Sequence, residues 1–331
     1  MQLHLFSNAP NLYEETHLTP SKPVLVVGSI NTDLVSTTSR IPLAGETILG
    51  RDFKIYPGGK GANQAVAVAQ LGHPVRIIGR VGSDSFGHEA RTHLNRAGVD
   101  TELVETHEGP SGIAVICVSE TGENSIIVTP GANGSLTPAY LDQHRCVIRD
   151  AGAVLTQLEI PLETVEYLSE ICWREGVPLI LDPAPAATLA DRVLRHVRWL
   201  TPNQGEAAFY ANDSAELMKI EPREALQRLQ QKGVQGVLLK LGKEGVLVGD
   251  RDGRISAMPA FDVEAIDTTA AGDAFNGGFA VGLMMGMSVV ESARFATAVA
   301  GISVTRPGAQ PSMPTKQEVE QFMAEQAAKV P

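Results

Sequence analysis

Apolar and polar positions follow two distinct rhythms along this chain. From Val24 onward, short β-branched runs recur: VLVVG at 24–28, VRIIGRVG at 75–82, AVLTQLE at 153–159, VPLILDPAP at 177–185, WLTPN at 199–203 and GVLLKLG at 236–242. Brief apolar runs bounded by turn residues predict strands buried on both faces. Between them lie Ala62 to Leu71, Phe86 to Arg96, Leu162 to Glu175 and Pro222 to Lys232, with apolar residues at helical spacing. Strands alternating with crossover helices predict an α/β fold of three αβα layers around a central, mostly parallel sheet.

Two stretches depart from this rhythm, Asp33 to Pro57 and about Glu108 to Thr129, where alternation and turn signals predict antiparallel strands without intervening helices. They suit a small second sheet. The Ala- and Gly-rich region from Ala271 to Val304 predicts two tightly packed helices. No repeat, low-complexity tract or linker divides the chain, so residues 23–331 are expected to form one domain carrying the small sheet. Residues 1–22 lack both the cationic and the apolar part of a signal peptide and are expected to be a loose, disordered extension.

Charge narrows the partners. A formal net charge of −11 excludes non-specific attraction to nucleic acid or to an anionic membrane, which needs a field of the opposite sign. An anionic ligand must then be held by local dipoles. The 3 cysteines, Cys117, Cys146 and Cys172, show no CxxC spacing and are expected to be buried free thiols of a reducing cytoplasm.

Candidate chemistry concentrates in AIDTTAAGDAFNGGFAVGLM (265–284), which begins extended and polar, passes through Ala270, Ala271 and Gly272, and continues as a helix. Small residues at that junction let a phosphate approach the unpaired N–H groups of the first turn, making an anion site without cationic side chains. Asp273 stands at the helix start, where it either accepts a proton or merely caps the helix. In IYPGGKGANQAVAVAQLG (55–72), Gly58, Gly59 and Gly61 allow the backbone to fold over a ligand, while Lys60 and Asn63 offer a cation and an amide; a plain loop accounts for the glycines equally well. The spacing matches neither the P-loop nor the dinucleotide fingerprint. In GSINTDL (28–34), Asn31 and Asp33 follow the first strand, where open α/β sheets bind ligands. They chelate a pair of hydroxyls or shape a turn, and Glu159 and Asp182 at later strand ends carry the same ambiguity.

Taken in order, GSINTDL, PGGKGANQA, SGIAVI, GAN (131–133), QLEIP, DPAP, TPNQGEA, KLGKEG, DTTAAGDAFNGGF and VTRPGAQPSMP make the chain resemble the ribokinase family of carbohydrate kinases, which also contains fructokinase and adenosine kinase, over about Val24 to Phe322. The resemblance implies ATP-dependent phosphorylation of the 5-hydroxyl of D-ribose. It implies Asp273 as catalytic base, the Ala271–Asp273 backbone as anion hole with Ala270 before it in the catalytic turn, and sugar contacts from Asn31, Asp33, Gly59, Lys60, Gly61, Asn63 and Glu159. For the nucleotide it implies Asn203, Glu206, Lys240, Gly242, Gly245, Gly272 and Thr297, with Glu206 helping to hold Mg²⁺ through water and phosphate oxygens.

The resemblance further implies a potassium site from Asp267, Thr269, Ser303, Arg306, Gly308 and Ser312, a β lid over the sugar, and a homodimer through that lid. Thr297 and Pro307 depart from the family pattern, which has a longer amide and a basic residue there. Two further readings stay open: a related sugar or nucleoside kinase acting on 2-deoxyribose, fructose or adenosine, and a sugar-binding regulator without catalysis. Low aromatic content leans away from a site that sandwiches a base.

Overall fold

The structure is a computed structural model that describes residues 22–212 and 220–328. The expected N-terminal extension, Lys22 apart, lies outside the described residues. In chain order the first elements are β1 (Val24–Val27), β2 (Asn31–Thr38), β3 (Asp52–Gly58), α1 (Lys60–Gln70), β4 (Val75–Gly82), α2 (Ser85–Arg96), β5 (Val104–His107), β6 (Gly112–Ser119) and β7 (Asn124–Thr129). Then come α3 (Pro138–Gln143), α4 (Arg145–Asp150), β8 (Ala153–Thr156), α5 (Leu162–Glu175), β9 (Leu179–Leu181), α6 (Asp191–His196), β10 (Trp199–Leu200) and α7 (Gln204–Asn212). The chain continues with α8 (Pro222–Gln231), β11 (Val237–Lys240), β12 (Val246–Gly249), β13 (Ile255–Met258), α9 (Ala271–Met284), α10 (Val289–Ser303) and α11 (Lys316–Ala328).

The large sheet has 9 strands in the order β13-β12-β11-β10-β9-β8-β1-β4-β5. It is parallel from β5 to β11, and β12 and β13 add an antiparallel edge. Because side chains on a strand point alternately to opposite faces, Val24 and Val26 enter a core with α1, α9 and α10, whereas Leu25 and Val27 enter another with α5, α6 and α8. Two cores separated by one sheet are the three layers expected from the sequence. Strand order reverses at β1, between β4 and β8, and the segments after the carboxyl ends of β8, β9, β10 and β11 carry Glu159, Asp182, Asn203 and Gly242. A crevice at that switch point is where open α/β sheets bind ligands.

The two irregular stretches supply a second sheet of 4 strands in the order β3-β2-β6-β7. Its outer pairs are antiparallel, as expected. The central pair is a correction: β2 and β6 run parallel, with Asn31 opposite Gly112 and Thr38 opposite Ser119. Each hairpin sets its own antiparallel register locally, but α1, β4, α2 and β5 separate the hairpins, and that long connection allows a parallel seam. The cysteines are also corrected in part. All are free, but only Cys172 is buried; Cys117 is half-buried and Cys146 is exposed.

Helix α9 packs on α1 and α10 through glycines. A methyl added at Gly277 would stand 2.6 Å from Ala67 Cβ, and one at Gly278 would stand 2.9 Å from Val299 Cγ2. The close approach buries Phe279 completely, its ring edge-on to Trp199 at 5.5 Å between centroids. Gly277→Val is expected to force α9 away from α1 and to lower stability by about 2 kcal/mol, as overpacked cores do. Urea unfolding followed by far-UV circular dichroism measures this.

Candidate active site

Helix α9 begins at an unusual turn. Ala270 has φ 58°, the one non-glycine with positive φ among the described residues, a left-handed conformation that costs an L-residue about 1–2 kcal/mol. The turn closes with the Ala271 N–H donating to Thr268 O at 3.2 Å. Of the amides expected to form an anion hole, that of Ala271 is therefore engaged by the chain, whereas those of Gly272 and Asp273 have no partner among the described residues. Two free donors at a helix N-terminus form a small, fixed anion site.

The Asp273 carboxyl is 4% exposed and held from α1: Asn63 Nδ2 donates to Oδ2 at 2.9 Å and Gln64 Nε2 donates to Oδ1 at 3.1 Å. Burial pushes this carboxyl up to about 6; Lys60 and the two amides oppose the shift and Asp182 adds to it. Gln64 also donates to Asp182 Oδ2 at 3.4 Å and accepts from Gln157 Nε2 at 2.6 Å. Asp182 in turn binds Lys240 Nζ at 2.9 Å. Gln64, Gln157 and Gln310, which donates to Asn63 Oδ1 at 3.1 Å, do not stand out in the sequence; a polar residue within the apolar run of α1 is the signal that finds Gln64, and no local signal finds Gln157, just past β8, or Gln310, in a short 3₁₀ turn.

The residues expected at the sugar come together where β2, the start of α1 and the segment after β8 meet. Asn31 Oδ1 accepts from Asn133 Nδ2 at 2.7 Å, and Asn133 Oδ1 accepts from the Ile30 N–H at 2.9 Å. The GAN motif thus orients the Asn31 amide at the start of β2. Asp33 packs against Gly58, where any side chain would collide with its carboxyl. Burial, followed by the charges of Glu159 and Asp273, pushes Asp33 up to about 7. Glu159 Oε2 accepts from Ser29 Oγ at 2.6 Å and from the Lys60 N–H at 3.2 Å. Gly59 is left-handed at φ 89°, and methyls at Gly59 and Gly61 would meet the backbone of residues 28–31 within 3.0 Å. Helix α1 therefore starts two residues earlier than expected, with Lys60 in its first turn. Burial works against the Lys60 charge, but the fields of Asp273, Asp182, Glu159 and Glu206 outweigh it and hold the ammonium's pKa above its ordinary value.

Beyond Asp273 opens a cavity of about 690 Å³ lined by Lys60, Asn203, Glu206, Lys240, Gly242, Gly245, Gly272 and Thr297 among others. Every residue expected at the nucleotide lines it. Asn203 and Glu206 form a reciprocal cap at the start of α7, with Glu206 N–H donating to Asn203 Oδ1 at 2.8 Å and Asn203 Nδ2 donating to Glu206 Oε1 at 2.9 Å. Burial raises the Glu206 carboxyl, Asp182 adds to this and Lys240 opposes it. Thr297 bonds back to Ala293 O at 2.8 Å. No group of three or more His, Cys, Asp or Glu side chains gathers as a metal cluster among the described residues.

The predicted potassium set falls beside the α9 turn. Asp267 Oδ1 accepts from Thr269 N and Oγ1 at 2.9 and 2.6 Å, and Oδ2 accepts from the Gly308 N–H at 2.8 Å. Burial acts to raise this carboxyl, but those bonds hold it below the usual range. Ser303 and Ser312 donate to Ala300 O and Ala309 O, while the Arg306 guanidinium is taken up by Glu318 at 2.6 Å. Arg306 can offer only its carbonyl. A single carboxylate among neutral oxygens fits a hard monovalent cation.

A family model for pfkB family carbohydrate kinases matches residues 21–316. The ribokinase of Bacillus subtilis is 42% identical over 305 residues, 91% of this chain and 99% of that protein. The crystal structure of ribokinase from Thermotoga maritima superposes with a TM-score of 0.84 at 37% identity, covering 92% of this chain and 99% of that one. Arabidopsis thaliana ribokinase, solved in complex with ribose and ATP, gives a TM-score of 0.84 at 33% identity, again over 92% and 99%. The family model spans most of the chain and the ribokinase relatives are covered almost end to end, and the chain therefore belongs to the pfkB family of carbohydrate kinases, and within it to the ribokinases.

Proposed function

We propose that this protein transfers the γ-phosphoryl group of ATP to the 5-hydroxyl of D-ribose, giving D-ribose 5-phosphate and ADP. The observation that carries the reading is the buried Asp273 carboxylate next to the unpaired Gly272 and Asp273 amides. Ribose occupies the mouth formed by Asn31, Asp33, Gly59, Lys60, Gly61, Asn63 and Glu159. ATP fills the cavity along Asn203, Glu206, Lys240, Gly242, Gly245 and Thr297, an arrangement supported by the ribose and ATP bound to the Arabidopsis relative. The 5-hydroxyl oxygen bonds to the γ-phosphorus as the bond from phosphorus to the β,γ-bridging oxygen breaks. Its proton passes to Asp273, while the free amides meet the charge on the transferring group.

Glu206 would hold Mg²⁺ through water and phosphate oxygens, and the ion would supply charge neutralisation on the nucleotide. The Asp267 loop would hold K⁺ through its oxygen donors, and the ion would supply charge beside the turn into Ala271. No helix among the described residues is long and apolar enough to cross a membrane; the free cysteines support a cytoplasmic enzyme. The lid face opposite Asp33 exposes Phe53, Ile55, Val115 and Ile127, Ile127 at 65%. A second lid is the proposed cover, making a homodimer.

ADP release with ATP and Mg²⁺ on a panel of ribose, 2-deoxyribose, fructose and adenosine, in potassium and in sodium buffer, is expected to be fastest with ribose in potassium. Asp273→Asn is expected to lower kcat by about 10³-fold or more with ribose affinity largely kept; unchanged turnover removes the proposed base. Light scattering on size-exclusion chromatography should show a dimer for the wild type and a monomer for Ile127→Arg.

The proton on Asp33 sets a pH dependence of stability. In the unfolded chain the carboxyl titrates at its ordinary 3.8, and in the folded protein at about 7. Between these values the folded state binds the proton more tightly, so this contribution is full below 3.8 and is lost as pH rises through about 7. Ligand-free protein should lose stability between about pH 5 and pH 8, and Asp33→Asn should flatten that fall. Urea midpoints at the two pH values measure it.

A further inference from the structure

Lys240, at the end of β11, and Asp182, just past the end of β9, form an ion pair of 2.9 Å whose side chains are only 15% and 3% exposed. Surface pairs such as Arg192–Glu166 leave 65% and 26% exposed. Removing two charges from water costs more than it returns in most interiors, so such a pair is a poor device for stability alone. Its position suggests another use. A methyl built on Gly272 would lie 3.2 Å from Lys240 Nζ, so the ammonium stands over the residue whose N–H has no partner. An ammonium has three donors, and Asp182 takes one. The remaining donors and the Gly272 amide face the same volume, at the end of the cavity next to Asp273.

We infer that Lys240 is the cation that contacts the transferring phosphoryl group, and that Asp182 is a positioning residue that holds its ammonium over the Gly272 amide. The inference rests on the phosphoryl-transfer reading given above. Lys240 forms and breaks no covalent bond and moves no proton. It gives a charge-assisted hydrogen bond to an oxygen of the γ-phosphoryl group while the bond to the bridging oxygen breaks. Gln64, which donates to both Asp182 and Asp273, ties the cation's anchor to the carboxylate that receives the hydroxyl proton. Charge and base thus share one rigid support.

The test compares a nucleotide that carries a third phosphate with one that does not. On the full chain with Mg²⁺, titration calorimetry gives the affinity for ADP and for the imido analogue of ATP. Lys240→Met is expected to weaken the imido analogue about 10- to 100-fold and ADP by less than about 3-fold. It should lower kcat about 100-fold or more with the KM for sugar unchanged. Lys240→Arg should recover part of both, and Lys240→Gln replaces the Met variant should that fail to fold.

Equal weakening of the two nucleotides, or of neither, overturns the assignment of Lys240. Asp182→Asn should reduce discrimination between the nucleotides when Lys240 is present and add nothing in the Lys240→Met background; an equal effect in both backgrounds overturns the positioning role. Failure of the kinase reading itself looks different: wild-type protein then releases no ADP with any sugar, while the nucleotide comparison still reports on Lys240.

Discussion

Burying a carboxylate at the start of α9 is the constraint from which the rest of the site follows. Asp273 is 4% exposed, and an ionised carboxyl so deep costs several kcal/mol unless donors compensate it. The donors come from one turn of α1, where Asn63 and Gln64 each give it one bond. They reach it only because the two helices nearly touch. Gly277 lies one turn after Asp273 and Ala67 one turn after Asn63, so the side-chain-free seam and the catalytic contact occupy the same faces of the same pair of helices. Packing between small residues, which looks like a matter of stability, sets the reach of the hydrogen bonds.

That arrangement leaves an electrostatic difficulty. Asp33, Glu159, Asp182, Glu206 and Asp273 crowd a region proposed to receive a polyanion. Burial and mutual repulsion raise Asp33 and Asp273, so part of the negative charge is relieved by protonation. The rest falls to Lys60, whose positive charge is strengthened by the same field, and to Lys240 in its pair with Asp182. Neutral dipoles complete the balance: the free amides of α9 attract an anion without adding a cation that the carboxylates would sequester.

Much of this was legible in the residue order. Each of the six β-branched runs became a strand and each of the four periodic segments a helix, because buried strands and amphipathic helices write their periods directly into the chain. Strand β5, VETH, is short and has one apolar residue, and α3, α4 and α6 span 6 residues each, too few to display a period. The parallel pairing of β2 with β6 escaped because nothing local encodes it. In the site, Asp273, Lys60 and Asn63 stood out through the glycines around them. Gln64, Asn133 and Gln310 did not, since their bonds join residues separated by 209, 102 and 247 positions.

The four residues Ala270 to Asp273 show why such a short motif carries so much. A glycine at 270 would adopt the left-handed turn without strain, but alanine there narrows the conformations open to the loop, and the strain it accepts fixes where the next amides stand. Ala271 spends its N–H closing the turn on Thr268. At Gly272 a methyl would stand 3.2 Å from the Lys240 ammonium and crowd it. Asp273 is the first residue deep enough to be reached by both amides of α1. Each position answers a separate physical demand, and together they hold donors and acceptor in place before any substrate arrives, so little reorganisation is left for the moment of transfer.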